Sequence, residues 1–99
     1  MVSRKIQIVE CPRDAMQGLK EYIPASKKAH YINSLVQVGF DVIDVGSFVS
    51  PKAVPQMRDT SDVINLLKLK DSTTLLSVVL NQRGALDASN FEEISILGY

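Results

Sequence analysis

Tryptophan is absent from this 99-residue chain, cysteine and histidine occur once each, and like charges never extend beyond a pair such as Lys27-Lys28. The single cysteine, Cys11, excludes an internal disulfide framework and a cysteine-built zinc site, and it fits a reducing compartment. His30 has no second histidine with which to form a metal pair, and its place beside Ala29 in a helical stretch marks it as a surface or interface residue. Eleven Lys and Arg balance eleven Asp and Glu, so there is no electrostatic footprint for nucleic acid or anionic lipid. Long apolar runs are missing too. The N-terminal stretch Ile6-Gln7-Ile8-Val9-Glu10 alternates, unlike the core of a signal peptide or a membrane span. Gly84 and Gly98 belong to neither a G-x-G-x-x-G pattern nor a P-loop. These absences leave a cytoplasmic chain whose partner is a small molecule or another protein surface.

What is present is a hydrophobic fraction of 45% with 22% charged residues, the balance of a globular domain with one core. No linker, low-complexity tract or internal domain boundary interrupts it. Residues 5 to 10 read as a strand, because β-branched residues dominate and Pro12 ends the ladder. Pro24-Ala25-Ser26 offers a turn and an N-cap. Ala29, Ile32, Leu35 and Val36 then recur at helical spacing until Gly39 supplies a stop. Val42 to Val45 is a second strand closed by Gly46, and Ser47 to Met57, with two prolines and no sustained period, reads as a loop. Loops of that length are usually functional. A second helix starts near Ser61 or Asp62, whose side chains suit an N-cap. Thr74 to Leu80 is a buried strand broken by Asn81-Gln82-Arg83-Gly84, Ala85 to Ser89 forms a short helix, and Glu93 to Leu97 alternates as a fourth strand.

The order βαβαβαβ implies parallel pairing through right-handed crossovers, either an arc of a (β/α)8 barrel or an open doubly wound sheet. Periodicity does not choose between them. Because the last apolar strand has no following helix to cover it, the chain is expected to be truncated.

Three clusters bear chemistry. Arg13-Asp14 follows the first strand, with Gln17 close behind; a carboxylate for a cation and a fixed positive charge for an enolate fit there, and so does a surface ion pair in a turn. Asp44 lies between Ile43 and Val45, so it must face water, a partner charge or a metal. In a barrel it approaches Asp14, because the C-terminal ends of the first two strands are adjacent. The third cluster is the loop itself. Phe48, Val49, Val54 and Met57 on a proline-fixed backbone are suited to pack against substrate or the adjacent rim, and Lys52 reads as an anion contact or an ordinary exposed lysine. Cys11, with no neighbouring histidine to activate it, reads as a small packed thiol.

Taken together, Val9-Glu10-Cys11-Pro12-Arg13-Asp14-Ala15-Met16-Gln17 and Val45-Gly46-Ser47-Phe48-Val49-Ser50-Pro51-Lys52-Ala53-Val54-Pro55-Gln56-Met57 strongly resemble the hydroxymethylglutaryl-CoA lyases, a family of metal-dependent barrel enzymes. The resemblance runs over essentially the whole chain, with Asn81-Gln82-Arg83-Gly84 similar to the family's turn after its third strand. It implies a (β/α)8 barrel, an acyl-CoA substrate, a divalent cation (Mg2+ or Mn2+) and retro-Claisen cleavage to acetoacetate and acetyl-CoA. It further implies that Arg13 neutralises the enolate, Asp14 ligates the cation, Asp44 stands where the family has a catalytic glutamate near the metal, and Gln17 and Ser47 line the substrate. The family's His-x-His pair and asparagine ligand have no counterpart through Tyr99, so the resemblance implies that residues 1–99 are the N-terminal portion of a single barrel catalytic domain with an incomplete site by itself. A homo-oligomer of the full-length enzyme is compatible with it, and these residues do not specify the oligomeric state. Cys11 in place of glycine, Ala15-Met16 in place of Gly-Leu, and Asp44 in place of glutamate are departures that bear on substrate choice. Two other readings remain: a carboligase similar to isopropylmalate synthase, and a non-catalytic α/β module.

Overall fold

In the computed structural model, which describes residues 6–99, four parallel strands lie in the order of the sequence: β1 (Val9–Glu10), β2 (Val42–Phe48), β3 (Thr74–Val79) and β4 (Ile94–Gly98). Each new strand is added on the same side of the last. A doubly wound sheet would reverse direction at a switch point, so the uniform order is that of an arc of a (β/α)8 barrel. The helices are α1 (Pro12–Gln17), α2 (Ala25–Val38), α3 (Thr60–Asn65) and α4 (Gln82–Ser89), with a 3-10 turn at Pro55–Met57.

The core lies between the helices and one face of the sheet. Ala29, Ile32 and Val36 of α2 recur at helical spacing and pack on Ile43 and Val45 of β2, Leu75 of β3, and Val63 and Ile64 of α3. Gly39 closes α2 with a φ of 98°, and its N–H returns to the carbonyls of Leu35 and Val36. β2 is buried from Val42 through Ser47, as a strand with neighbours on both sides and cover on its faces should be. Between Asp44 and Gly46 its register with β3 shifts, so Val45 is an extra residue in the ladder.

Several expected boundaries move. The ladder of the first strand is only Val9–Glu10; residues 6–8 are irregular, and residue 5 lies outside the described residues. Pro12 not only ends the strand but also sits at the first position of α1, where its fixed φ favours a helix and no N–H is missed. β2 does not close at Gly46 but continues to Phe48, so Ser47 and Phe48 belong to the sheet rather than to the loop. Gly46 serves close packing instead. A Cβ there would lie 2.7 Å from Thr60 Cγ2. Ser26 does not cap α2, and neither Ser61 nor Asp62 caps α3. The residue before α2 is Pro24, the residue before α3 is Asp59, and neither makes a side-chain cap hydrogen bond. The Asn81–Gly84 stretch that follows the end of β3 also opens α4, with the Asn81 side chain accepting from the Gly84 N–H at 2.9 Å.

Candidate functional site

β1 ends at Glu10 and Pro12 starts a helix at once, which sets Arg13 at the C-terminal end of the strand, beside β2. There its guanidinium is the hub of a four-residue group. Nε donates to both carboxylate oxygens of Asp44, at 3.1 and 2.9 Å, and Nη1 donates to Gln17 Oε1 at 2.7 Å, one helical turn along α1. Nη2 faces Cys11 Sγ at 3.7 Å, and that thiol donates to Asp44 Oδ2 at 3.3 Å. The ion pair is largely withdrawn from water, with side-chain exposures of 16% for Arg13 and 7% for Asp44. Asp44, squeezed between two core residues that face the helices, thus meets its partner charge on the opposite face of the strand.

Burial pulls the Arg13 guanidinium down, but the hydrogen bond and charge of Asp44 outweigh it and hold the group above its ordinary value. The cation is permanent. Burial raises the Cys11 thiol, and the bond and charge of Asp44 add to that against the lowering effects of the Asp14 N–H and of Arg13. The thiol therefore stays protonated at neutral pH and acts as a donor to Asp44, in keeping with a packed rather than a nucleophilic cysteine. A guanidinium has five N–H groups. Nε–H is spent on Asp44, one Nη1–H on Gln17 and one Nη2–H on Cys11, so one N–H on each terminal nitrogen is left for a ligand oxygen.

The other two site residues sit apart from this group. Asp14 is exposed in the first turn of α1, and no side-chain hydrogen bond ties it to Asp44. Ser47 is 3% exposed, and its Oγ is a buried side-chain polar atom without a hydrogen-bond partner. It lines a cleft of about 420 Å3 with Phe48, Met57, Thr60 and Phe91. Phe48 packs against Phe91, with ring centroids 5.6 Å apart and planes tilted by 34°, and Met57 is buried. Lys52 and His30 are exposed.

The implied divalent cation can be tested against these donors. No group of three or more His, Cys, Asp or Glu able to hold a metal occurs among the described residues. Asp44 already gives both oxygens to Arg13. A cation that demands about six oxygens is not satisfied by this set, and Asp14 is the one exposed carboxylate beside the Arg13 hub.

Sequence reasoning missed a second polar network. Lys28, on the core face of α2, is 2% exposed and pairs with Asp59 at 2.7 Å while also bonding the Gln56 carbonyl. The Tyr22 hydroxyl donates to Asp59 Oδ2 at 2.5 Å, which holds that hydroxyl above its ordinary value. Gln56 is buried and ties down the α1–α2 connection through the Ile23 N–H and the carbonyls of Leu19 and Glu21. The signal was available: Lys28 stands four and eight residues before the core residues Ile32 and Val36, on the same face of the helix.

No protein-family model matches the chain. Among curated proteins it is 38% identical over 84 residues to the mitochondrial hydroxymethylglutaryl-CoA lyase of Arabidopsis thaliana, covering 84% of this chain and 18% of that protein. It is 37% identical over 98 residues to the mitochondrial enzyme of Rattus norvegicus, covering 96% and 30%. The backbone agrees with the sequence. A solved HMG-CoA lyase from Acinetobacter baumannii, in complex with coenzyme A and 3-methylmalate, superposes with a TM-score of 0.87 at 34% identity over 92% of this chain and 30% of that one. The chain is homologous to the hydroxymethylglutaryl-CoA lyases. The hydroxymethylglutaryl-CoA lyase of Pseudomonas aeruginosa gives a TM-score of 0.80 at 35% identity over 93% of this chain and 32% of its own. The chain thus spans about a third or less of the length of the lyases it matches, and within that span it has the lyases' run of parallel strands and helices.

Proposed function

We propose that this chain supplies part of the active site of an acyl-CoA lyase, which cleaves 3-hydroxy-3-methylglutaryl-CoA to acetoacetate and acetyl-CoA, or a related 3-hydroxyacyl-CoA to acetyl-CoA and the corresponding oxo product. The observation that carries the reading is the Arg13 hub: a permanent cation, clamped on one side by Asp44, Gln17 and Cys11, with an N–H left over on each terminal nitrogen. In the reaction the carbon–carbon bond next to the tertiary hydroxyl breaks. The hydroxyl loses its proton and becomes the ketone of acetoacetate, while the bonding pair moves into an enolate on the thioester side. That enolate then takes a proton at carbon to give acetyl-CoA.

Arg13 is the group suited to the enolate oxygen, because its two remaining donors are already oriented and partly desolvated before charge develops. Asp44 keeps the guanidinium charged and aimed, and Gln17 fixes its other edge. Ser47, with a buried hydroxyl lacking a partner, is suited to accept or donate one bond to bound substrate. A divalent cation, Mg2+ or Mn2+, supplies Lewis-acid polarisation of substrate oxygens in such chemistry; Asp14 is the donor this chain offers to one, and the remaining ligands must come from outside the described residues. The relatives' names and the neighbour solved with coenzyme A support the acyl-CoA class.

The test is chromatographic detection of acetyl-CoA and acetoacetate after the natural full-length protein is incubated with the thioester, with and without a chelator. Cleavage that the chelator stops and Mn2+ restores supports the reading. Consumption without acetyl-CoA, or no reaction with either cation, removes it.

A further inference from the structure

Beside the Arg13 hub, and sharing Gln17 with it, is a second cleft of about 270 Å3 between the α1–α2 connection and the 3-10 turn. Its wall contains Lys20 and Arg58, together with Leu19, Tyr22 and Gln56, and no carboxylate. Of the acids around it, Asp59 is paired with buried Lys28 and takes the Tyr22 hydroxyl, while Glu21, between Lys20 and Tyr22 in the chain, is exposed and is not part of the lining. Asp62 stands on the exposed first turn of α3 and is not part of the lining.

Arg58 is exposed, yet it is held. Its guanidinium lies over the Tyr22 ring, with Cζ 3.8 Å from the centroid. The ring is fixed by its bond to Asp59, and Asp59 by Lys28. The one side-chain hydrogen bond Arg58 makes among the described residues, to the Pro55 carbonyl, is long at 3.5 Å, so its planar fork of donors is oriented and almost entirely unspent by them. Stacking on an aromatic face leaves the N–H edge of a guanidinium free, and a fork so prearranged loses little freedom when it binds an oxyanion.

We propose that this cleft is an oxyanion subsite, taking a phosphate or carboxylate group between Arg58 and Lys20. Gln17 links it to the reacting centre by bonding Arg13 at 2.7 Å, so an occupant of the cleft touches the residue that orients the catalytic guanidinium. The subsite itself follows from the cleft's own geometry. Its assignment to an anionic group of the thioester substrate rests on the function proposed above.

The experiment is 15N–1H NMR of the natural full-length protein, titrated separately with inorganic phosphate and with glutarate at constant ionic strength, in the parent protein and in Arg58→Ala and Lys20→Ala. Both substitutions are at exposed positions, so the spectrum reports whether the fold is retained. The subsite predicts saturable shifts centred on residues 17–22 and 55–58, weakened about tenfold or more in each variant, the loss expected for one charge-assisted contact. The tighter of the two probes names the group the cleft prefers. Tyr22→Leu, which keeps both cations and removes the platform, should weaken binding as well. Shifts spread over all basic residues, shifts unchanged by both alanine variants, or no saturable shift with either probe would overturn the proposal. These measurements need no turnover, so they fail or succeed separately from the lyase assay.

Discussion

Replacing Lys28 by methionine should be among the most damaging single changes this fold can suffer. The ammonium is 2% exposed and Asp59 6%, and the two are 2.7 Å apart. Methionine keeps most of the stem's packing but leaves Asp59 buried with only the Tyr22 hydroxyl as a partner. Breaking one side of a buried ion pair costs about 3–5 kcal/mol, because the remaining charge keeps its desolvation penalty. A small domain has roughly 5–15 kcal/mol of stability in total, so a large share of it would go. With a urea m-value of about 1.5 kcal/mol/M, the midpoint should fall by about 2 M or more. Urea unfolding followed by far-UV circular dichroism reads this directly. Removing both charges in Lys28→Met/Asp59→Leu should restore part of the loss, since an apolar pair of similar volume carries no unpaired charge. A midpoint for Lys28→Met within about 0.3 M of the parent would refute the reasoning, as would a double variant weaker than the single one by the full cost of a second broken contact.

Two further outcomes follow from close contacts. Gly84→Ala would place a Cβ on the Phe48 carbonyl oxygen, a backbone atom that cannot rotate away; α4 must shift off the end of β2, and thermal unfolding should show a loss of roughly 1–3 kcal/mol. At about pH 8, alkylation of Cys11 by iodoacetamide should be slower than that of an ordinary thiol, because burial first, and then the hydrogen bond and charge of Asp44, raise its pKa above the ordinary thiol value. Asp44→Asn removes the charge that favours the protonated form, so the pKa should fall and alkylation should quicken. An unchanged rate would detach the thiol from Asp44.

The sequence was informative where pattern and packing coincide. Ala29, Ile32 and Val36 at helical spacing, and Gly39 at the stop, appear as expected because one apolar face and one left-handed residue specify that helix without outside help. The parallel strand order was implied by alternation; the choice of barrel over open sheet came from the motif resemblance and is borne out by pairing, a non-local property that periodicity does not carry. At the site, Asp44 was singled out by a local conflict, a carboxylate between two core residues, and the conflict is resolved by Arg13, 31 residues away. Ser47 was placed in a loop because Gly46 looks like a terminator; its glycine character is explained by Thr60 packing against it across the chain. Lys28 escaped notice for the opposite reason. A lysine on a helix reads as solvated, and its buried partners, Asp59 and Gln56, lie about thirty residues downstream.

The account stands or falls on Arg13 as the group that meets the developing enolate. The most direct measurement is steady-state cleavage of 3-hydroxy-3-methylglutaryl-CoA by the natural full-length protein and by Arg13→Ala and Arg13→Lys, with kcat and KM resolved. The account predicts that kcat falls by roughly 10²–10³ or more in the alanine variant, the scale of losing a preorganised oxyanion donor, while KM changes little; lysine, lacking the fork that reaches Asp44 and Gln17 together, should recover only a minor part. Parent-like kcat in Arg13→Ala, or a loss confined to KM, would contradict it.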